Sequence, residues 1–302
     1  MIATVTLNPA LDYVMQLDRL LPGETNRSRE EQLFPGGKGI NVAAVLTALG
    51  EETCALCFLA GFTGRALEQL LQMRRIPAEG VRVKKGMTRI NVKIKAEEET
   101  EINGSGPAPD ESEQEQLLRK LAELQDGDGL VLAGSIPASL PQDIYVRILT
   151  MLQDKKILTV VDTIGEGLLA CLPCRPFLIK PNREELETLV GRTLSSREEI
   201  AGAAKELQQR GARNVLVSLA GEGALLFTEA GESYERQAPR GSVRNSVGAG
   251  DSMVAGFLTG YRRRGSWAEA LKLGIACGSA TAFCEDLADA MTIDRIYLEL
   301  ED

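Results

Sequence analysis

The chain has 302 residues, of which 44% are hydrophobic and 25% charged, with a formal charge of −9. This is a globular composition that allows a large core. The charge has the wrong sign for displacing counterions from DNA or RNA, so any phosphate is bound locally. There is no histidine, which removes Ser-His-Asp and Cys-His catalysis and every His-containing zinc site. Carboxylates, lysines and tyrosines remain as general bases.

The chain opens Met1-Ile2-Ala3-Thr4-Val5-Thr6 with no basic segment ahead of an apolar one. No run of about 18 apolar residues follows. A cytoplasmic protein that neither crosses nor docks on a membrane is expected. Short apolar runs predict strands at 2–7, 53–59, 130–133, 157–161, 177–179, 215–218 and 224–228. Helical segments fall between them. Residues 40–49 end at Gly50, a C-terminal cap, residues 111–124 carry leucines at 117, 118, 121 and 124, and Pro141 suits the first turn of a helix to about 153. The alternation is that of a mostly parallel sheet with helices on both faces.

Two stretches break the rhythm: residues 13–16 with 33–34, and 89–95 with 99–102. They alternate with period two and have no helix between them, which predicts a small antiparallel sheet outside the main one, read as a lid. Glu97-Glu98-Glu99 reads as a solvated hairpin tip. No linker divides the chain. The two Cys-x-x-Cys pairs, Cys54 with Cys57 and Cys171 with Cys174, look superficially like a zinc pattern. The first pair lies on a predicted strand, where residues three apart face opposite sides, so reduced structural thiols are expected.

Gly248-Ala249-Gly250-Asp251 precedes an apolar run of small residues. Its glycines let backbone approach a ligand, and the helix that follows offers free N–H groups and the positive end of its dipole to an anion. Asp251, ionised at neutral pH, can face a hydroxyl being phosphorylated or can simply cap the helix. Gly36-Gly37-Lys38-Gly39-Ile40-Asn41 is a second glycine-rich helix start. It suits a polyhydroxylated anionic ligand, with Lys38 for phosphate charge, or is a plain turn. It is no Walker loop, since Gln32 stands where the first glycine belongs and no Ser or Thr follows Lys38. After Lys180-Pro181, Asn182 and Glu185 share a helical face that can hold hydrated magnesium or form a capping box. Ser218-Leu219-Ala220-Gly221-Glu222-Gly223 is a nucleotide-phosphate cradle or a hairpin turn.

In this order, together with Asn8-Pro9-Ala10-Leu11-Asp12 and Gly134-Ser135-Ile136-Pro137, these segments resemble the ribokinase-like (PfkB-type) carbohydrate kinases over essentially the whole chain. Thr88-Arg89-Ile90-Asn91-Val92-Lys93 and the segment from Glu99 to Pro107 resemble the fructose 1-phosphate kinases among them. Tagatose-6-phosphate kinases are the alternative, and a non-catalytic sugar-phosphate sensor is the alternative of another class.

The resemblance implies a single domain over 1–302 with a three-layer α/β/α fold and a small antiparallel β-lid formed by about 10–35 and 88–106. It also implies magnesium and ATP, and the alternating, partly apolar lid strands, which would expose a sheet face and edges in a monomer, predict a homodimer joined through the lids. Asp251 would be the base, with Gly248, Ala249 and Gly250 as the anion hole. Asp12, Gly36, Gly37 and Asn41 would grip sugar hydroxyls, and Arg89, Lys38, Ser135 and Arg27 the substrate's phosphate. Lys180, Asn182, residues 218–223, Gly250 and Asp251 would serve ATP, with Asn182 and Glu185 reaching magnesium partly through water. The family often has aspartate at Asn245, which bears on a monovalent cation. Because the helix dipole favours its anion, Asp251 is expected to be a weak base that takes its proton late.

Overall fold

The computed structural model describes residues 1–300. In chain order, β1 (Ile2–Thr6) leads to the lid strands β2 (Ala10–Gln16) and β3 (Glu30–Gly36), then to α1 (Lys38–Ala48), β4 (Thr53–Ala60), α2 (Gly61–Met73) and β5 (Ala78–Val83). The chain returns to the lid as β6 (Arg89–Lys95) and β7 (Thr100–Asn103). The larger half contains α3 (Glu111–Ala122), β8 (Gly129–Ala133), α4 (Ile144–Met151), β9 (Leu158–Asp162), α5 (Gly165–Cys171), β10 (Leu178–Ile179), α6 (Arg183–Val190) and α7 (Arg197–Gln209). It closes with β11 (Asn214–Ser218), β12 (Ala224–Phe227), β13 (Ser233–Arg236), α8 (Ala249–Arg264), α9 (Trp267–Ala282) and α10 (Ala290–Glu299).

The main sheet runs β13-β12-β11-β10-β9-β8-β1-β4-β5, with every strand parallel except β12, which is antiparallel to both its neighbours. Strands covered on both faces must be apolar on both faces, and all five residues of β1 and of β8 are buried. Alternate residues feed two cores. Val5, Leu132 and Val215 pack with α3 to α7, while Ile2, Val131 and Leu216 pack with α1 and α8 to α10. The three layers expected from the alternation of strands and helices are therefore present. β5 and β13 were not legible as strands, because both carry charged residues in half-exposed edge positions and present no apolar run. The helix expected from Pro141 begins at Ile144, since residues 141–144 close first as a tight turn, with the Ile144 N–H donating to the Pro141 carbonyl at 3.1 Å.

The lid is a four-stranded sheet in the order β3-β2-β6-β7. Its outer pairings are antiparallel, as the alternating sequence predicts. Its central pairing, β2 with β6, is parallel, with Ala10 opposite Arg89 and Asp12 opposite Asn91. Both strands leave the main domain in the same direction because each follows a strand of the main sheet that ends at the same edge. In the main domain, α8 and α9 pack at backbone distance. A Cβ on Gly256 would stand 2.5 Å from the Leu273 carbonyl oxygen, so only glycine permits the contact that fixes α8. The six cysteines are free thiols. Burial pushes those of Cys57 and Cys171 up to about 12, which suppresses the reactive thiolate.

Candidate active site

Open α/β sheets bind ligands beyond the carboxyl ends of their strands, at the point where the connections reverse direction. Here that point lies between β1 and β8. From β1 the chain moves to β4 and β5, and from β8 it moves the other way to β9, β10 and β11. Asp162 ends β9, Lys180 follows β10, Ser218 ends β11 and Gly134 follows β8. The N-termini of α1 and α8 meet over this edge, and the lid stands above it.

Asp251 lies in the first turn of α8, 5% exposed, and accepts a hydrogen bond from the Asn41 amide of α1 at 2.8 Å. Gly248 caps α8 with a left-handed backbone (φ 79°), where any side chain would strike Leu287. No side chain fills the cap; the Ala249 N–H makes a long bond to the Ser246 carbonyl at 3.3 Å, and the helix start otherwise presents its amides to an anion. The Lys180 amine sits against Gly250, 3.1 Å from where a Cβ would stand. Burial chiefly, and then the charge of Asp162, push the pKa of Asp251 up to about 6, against the lowering influence of Lys38, Asn41 and Lys180. This corrects the expectation of a weak base. The helix dipole does favour the anion, but dehydration of the carboxylate and a second carboxylate nearby outweigh it. At pH 7 the group is still mostly ionised.

Asp162, 3% exposed, was not foreseen. Its Oδ1 lies 3.2 Å from the Lys38 amine and 3.8 Å from that of Lys180, while its Oδ2 is buried without a partner. Burial works against the Lys38 ammonium, yet Asp162, Asp251 and Glu185 together raise its pKa, so Lys38 is held as a cation. A carboxylate closing an apolar strand at its C-terminal end was the available signal, and the predicted strand stopped one residue short of it.

On the lid side, Asp12 stands 15% exposed between Asn91, which donates to its Oδ1 at 2.9 Å, and the Lys93 amine, 3.3 Å from its Oδ2. Neither partner was singled out for this role in the sequence. A Cβ on Gly36 would lie 2.5 Å from Asp12 Oδ1, and Gly37 adopts φ 126° against Thr6, which accounts for both glycines. Arg89, opposite Ala10, donates through Nε to the Asn8 carbonyl at 3.1 Å. Burial lowers its pKa and Asp12 opposes this. A Cβ on Gly134 would stand 3.9 Å from that of Lys38, so the following Ser135 lies at the same edge. Arg27 is exposed in the 17–29 loop joining the outer ends of β2 and β3, so the fold leaves it at the far end of the lid from Arg89.

Asn182 and Glu185 form the capping box: Oδ1 of Asn182 accepts from Glu185 N and a Glu185 carboxylate oxygen accepts from Asn182 N, both at 2.8 Å. Residues 218–223 turn between antiparallel β11 and β12, with a short 3₁₀ turn at Ala220–Glu222. Glu222 pairs with Arg183 and Arg197. The turn lies beside Asn182, which bridges to Ser218. Among the described residues no cluster of three or more acidic, Cys or His side chains could cage a metal. The second oxygen of Glu185 and the orphaned Asp162 Oδ2 fit magnesium, which keeps its waters and takes one or two protein carboxylates plus substrate phosphates. Asn245 organises the loop before α8, donating to the Glu285 carbonyl at 3.0 Å and accepting from Val247 N at 3.0 Å. An aspartate could not make the first of these bonds.

The chain matches the family described as pfkB family carbohydrate kinase over residues 5–293. It is 43% identical over 301 residues to the 1-phosphofructokinase of Bacillus subtilis, covering 100% of this chain and 99% of the relative. It is 36% identical over 302 residues to the D-tagatose-1-phosphate kinase of Bacillus licheniformis, covering 100% and 99%. Phosphofructokinase-2 from Escherichia coli, solved in complex with substrates and products, superposes with a TM-score of 0.93 at 32% identity over 99% of both chains. With a full-length sequence match, this fold and this edge cluster, the chain belongs to the pfkB family of carbohydrate kinases.

Proposed function

We propose that the protein transfers the γ-phosphoryl group of ATP to the 6-hydroxyl of fructose 1-phosphate, giving fructose 1,6-bisphosphate. The observation that carries this reading is the buried Asp251 at the open N-terminus of α8, hydrogen-bonded to Asn41 and flanked by Lys38 and Lys180. Asp12, Gly36, Gly37 and Asn41 hold the sugar hydroxyls. Arg89, Lys38 and Ser135 hold the 1-phosphate, joined by Arg27 from a neighbouring lid. Lys180, Asn182, residues 218–223 and the amides of Gly248, Ala249 and Gly250 receive the nucleotide phosphates.

The sugar hydroxyl oxygen bonds to the γ-phosphorus as the bond from that phosphorus to ADP breaks, and the hydroxyl proton passes to Asp251. Transfer of this kind is loose and needs positioning and charge stabilisation more than a strong base. The α8 amides and Lys180 supply that stabilisation in a site shielded from water. Glu185, Asn182 and Asp162 would hold magnesium, partly through water, and the ion would supply charge neutralisation for the phosphate groups.

In an ADP-coupled assay across ketohexose phosphates, fructose 1-phosphate should give the highest kcat/KM. The resemblance to a D-tagatose-1-phosphate kinase makes tagatose 1-phosphate the competing substrate, with tagatose 6-phosphate as the third arm. Equal or better turnover of either overturns the assignment, and no ATP consumption with any of them favours a sensor. Escherichia coli phosphofructokinase-2 has been solved in complex with potassium, and for this chain the loop around Asn245 is the place we assign to a monovalent cation. The cytoplasm is the compartment in which such substrates and reduced thiols are found together.

The outer face of the lid exposes Leu33 (41%) and Ile102 (59%), and its edges β3 and β7 are open. Such a surface favours pairing with a second lid. A homodimer is expected by light scattering at micromolar concentration, and a monomeric mass would refute it.

A further inference from the structure

We propose that Lys93 and Asn91 are positioning residues of the sugar site that act through Asp12, aiming its carboxylate and compensating its charge. The inference rests on the reading of Asp12 as a sugar-hydroxyl acceptor. Lysine is among the residues least often buried, yet Lys93 is 11% exposed in the lid, with its amine 3.3 Å from Asp12 and 3.7 Å from Glu101. Glu101 is 42% exposed and sits on the edge strand, so the well-buried partner is Asp12.

The parallel register sets Asp12 opposite Asn91, and alternate residues of β6 share a face, which brings Lys93 to the same carboxylate. The Asn91 amide holds one oxygen at 2.9 Å and Lys93 the other, while the Gly36 backbone closes a third side. A carboxylate has about four acceptor positions. Two are taken, leaving about two for the cavity of about 430 Å³ that Asp12, Asn41 and Lys93 line together. Two acceptor positions fixed in direction suit two neighbouring hydroxyls of a ketose. An unclamped aspartate could rotate and lose one of them. The clamp thus adds to affinity and orientation for the sugar without touching the nucleotide.

The test is a double-mutant cycle on kcat/KM, using whichever sugar phosphate the wild-type enzyme turns over best, so that a wrong substrate assignment shows in the wild type alone. Lys93→Met should raise the sugar-phosphate KM by about ten- to a hundredfold, the cost of a misdirected charged acceptor, with the KM for ATP within about twofold. Lys93→Arg should recover part of the loss. In an Asp12→Asn background, Lys93→Met should add no further loss. Glu101→Gln should leave the sugar KM within about twofold. Multiplicative losses in the double variant, a sugar KM unchanged in Lys93→Met, or a Glu101→Gln that reproduces the Lys93→Met loss would each overturn the proposal. Should Lys93→Met fail to fold, Asn91→Ala in the same cycle carries the test, with non-additivity expected and additivity refuting it.

Discussion

Asp251→Asn is expected to lower kcat by at least about a hundredfold, the lower range for removing a positioned acid-base group, while raising the stability of the ligand-free enzyme. The two effects have one cause. Buried at the end of α8 beside Asp162, the carboxyl has a pKa of about 6 in the folded chain against an ordinary value of 3.8. A carboxyl whose folded pKa is raised opposes folding once ionised. The penalty is absent below about pH 4, grows between the two values and is complete above about pH 6. At pH 7 the asparagine variant is relieved of it, an effect on the order of 2–3 kcal/mol. A denaturant midpoint that rises while kcat collapses identifies a group kept for function at the expense of stability. Near-normal kcat with sugar phosphate still bound would refute the role of Asp251 as proton acceptor.

Asp162→Asn is expected to act on both pH dependence and stability. Asp162 is among the causes that raise the Asp251 pKa, so removing its charge lowers that pKa. For the wild type, kcat/KM should fall as pH drops through about 6, where Asp251 takes up a proton before substrate arrives. In the variant that acid limb should move to lower pH. Lys38 and Lys180 lose their closest carboxylate, and Lys180 is only 5% exposed. Leaving a buried charge uncompensated costs about 3–5 kcal/mol, so the variant's denaturation midpoint should fall markedly. An acid limb that stays in place would show that burial alone sets the proton affinity of Asp251.

Much of this site was legible because its parts lie in short, chemically distinctive segments. Glycines next to Lys38 and Asp251 mark places where backbone must approach backbone or ligand, and Gly36, Gly37 and Gly248 each meet an atom that a side chain would displace. What could not be read was the arrangement across distant segments. Asp162 follows the predicted strand at 157–161, and only the order β8-β9-β10 brings it beside Lys38 and Lys180. Lys93 looked like one of several cations on an alternating strand. Its service to Asp12 depends on the parallel pairing of β2 with β6, which local period cannot reveal. The Asn182 and Glu185 pair could be read as a cap or as metal ligands, and the capping box leaves one Glu185 oxygen for a second purpose.

The parallel pairing in the lid also bears on how the two halves of the site are held in time. Asp12 and Asn91 are 79 residues apart in the chain, so pairing β2 with β6 carries the entropic cost of closing a long loop. Its strands contribute little to the core: β7 has no buried residue, and β2 and β3 are buried chiefly at the ends that join the main domain. A unit with so few buried apolar contacts opens locally at a free energy well below that of the whole domain. Asp251, Lys180 and Asp162 sit on the main sheet and its packed helices. The lid part of the sugar site, Asp12 with Asn91 and Lys93, is therefore expected to open ahead of the main domain, which carries Lys38 and Asn41 together with Asp251, Lys180 and Asp162.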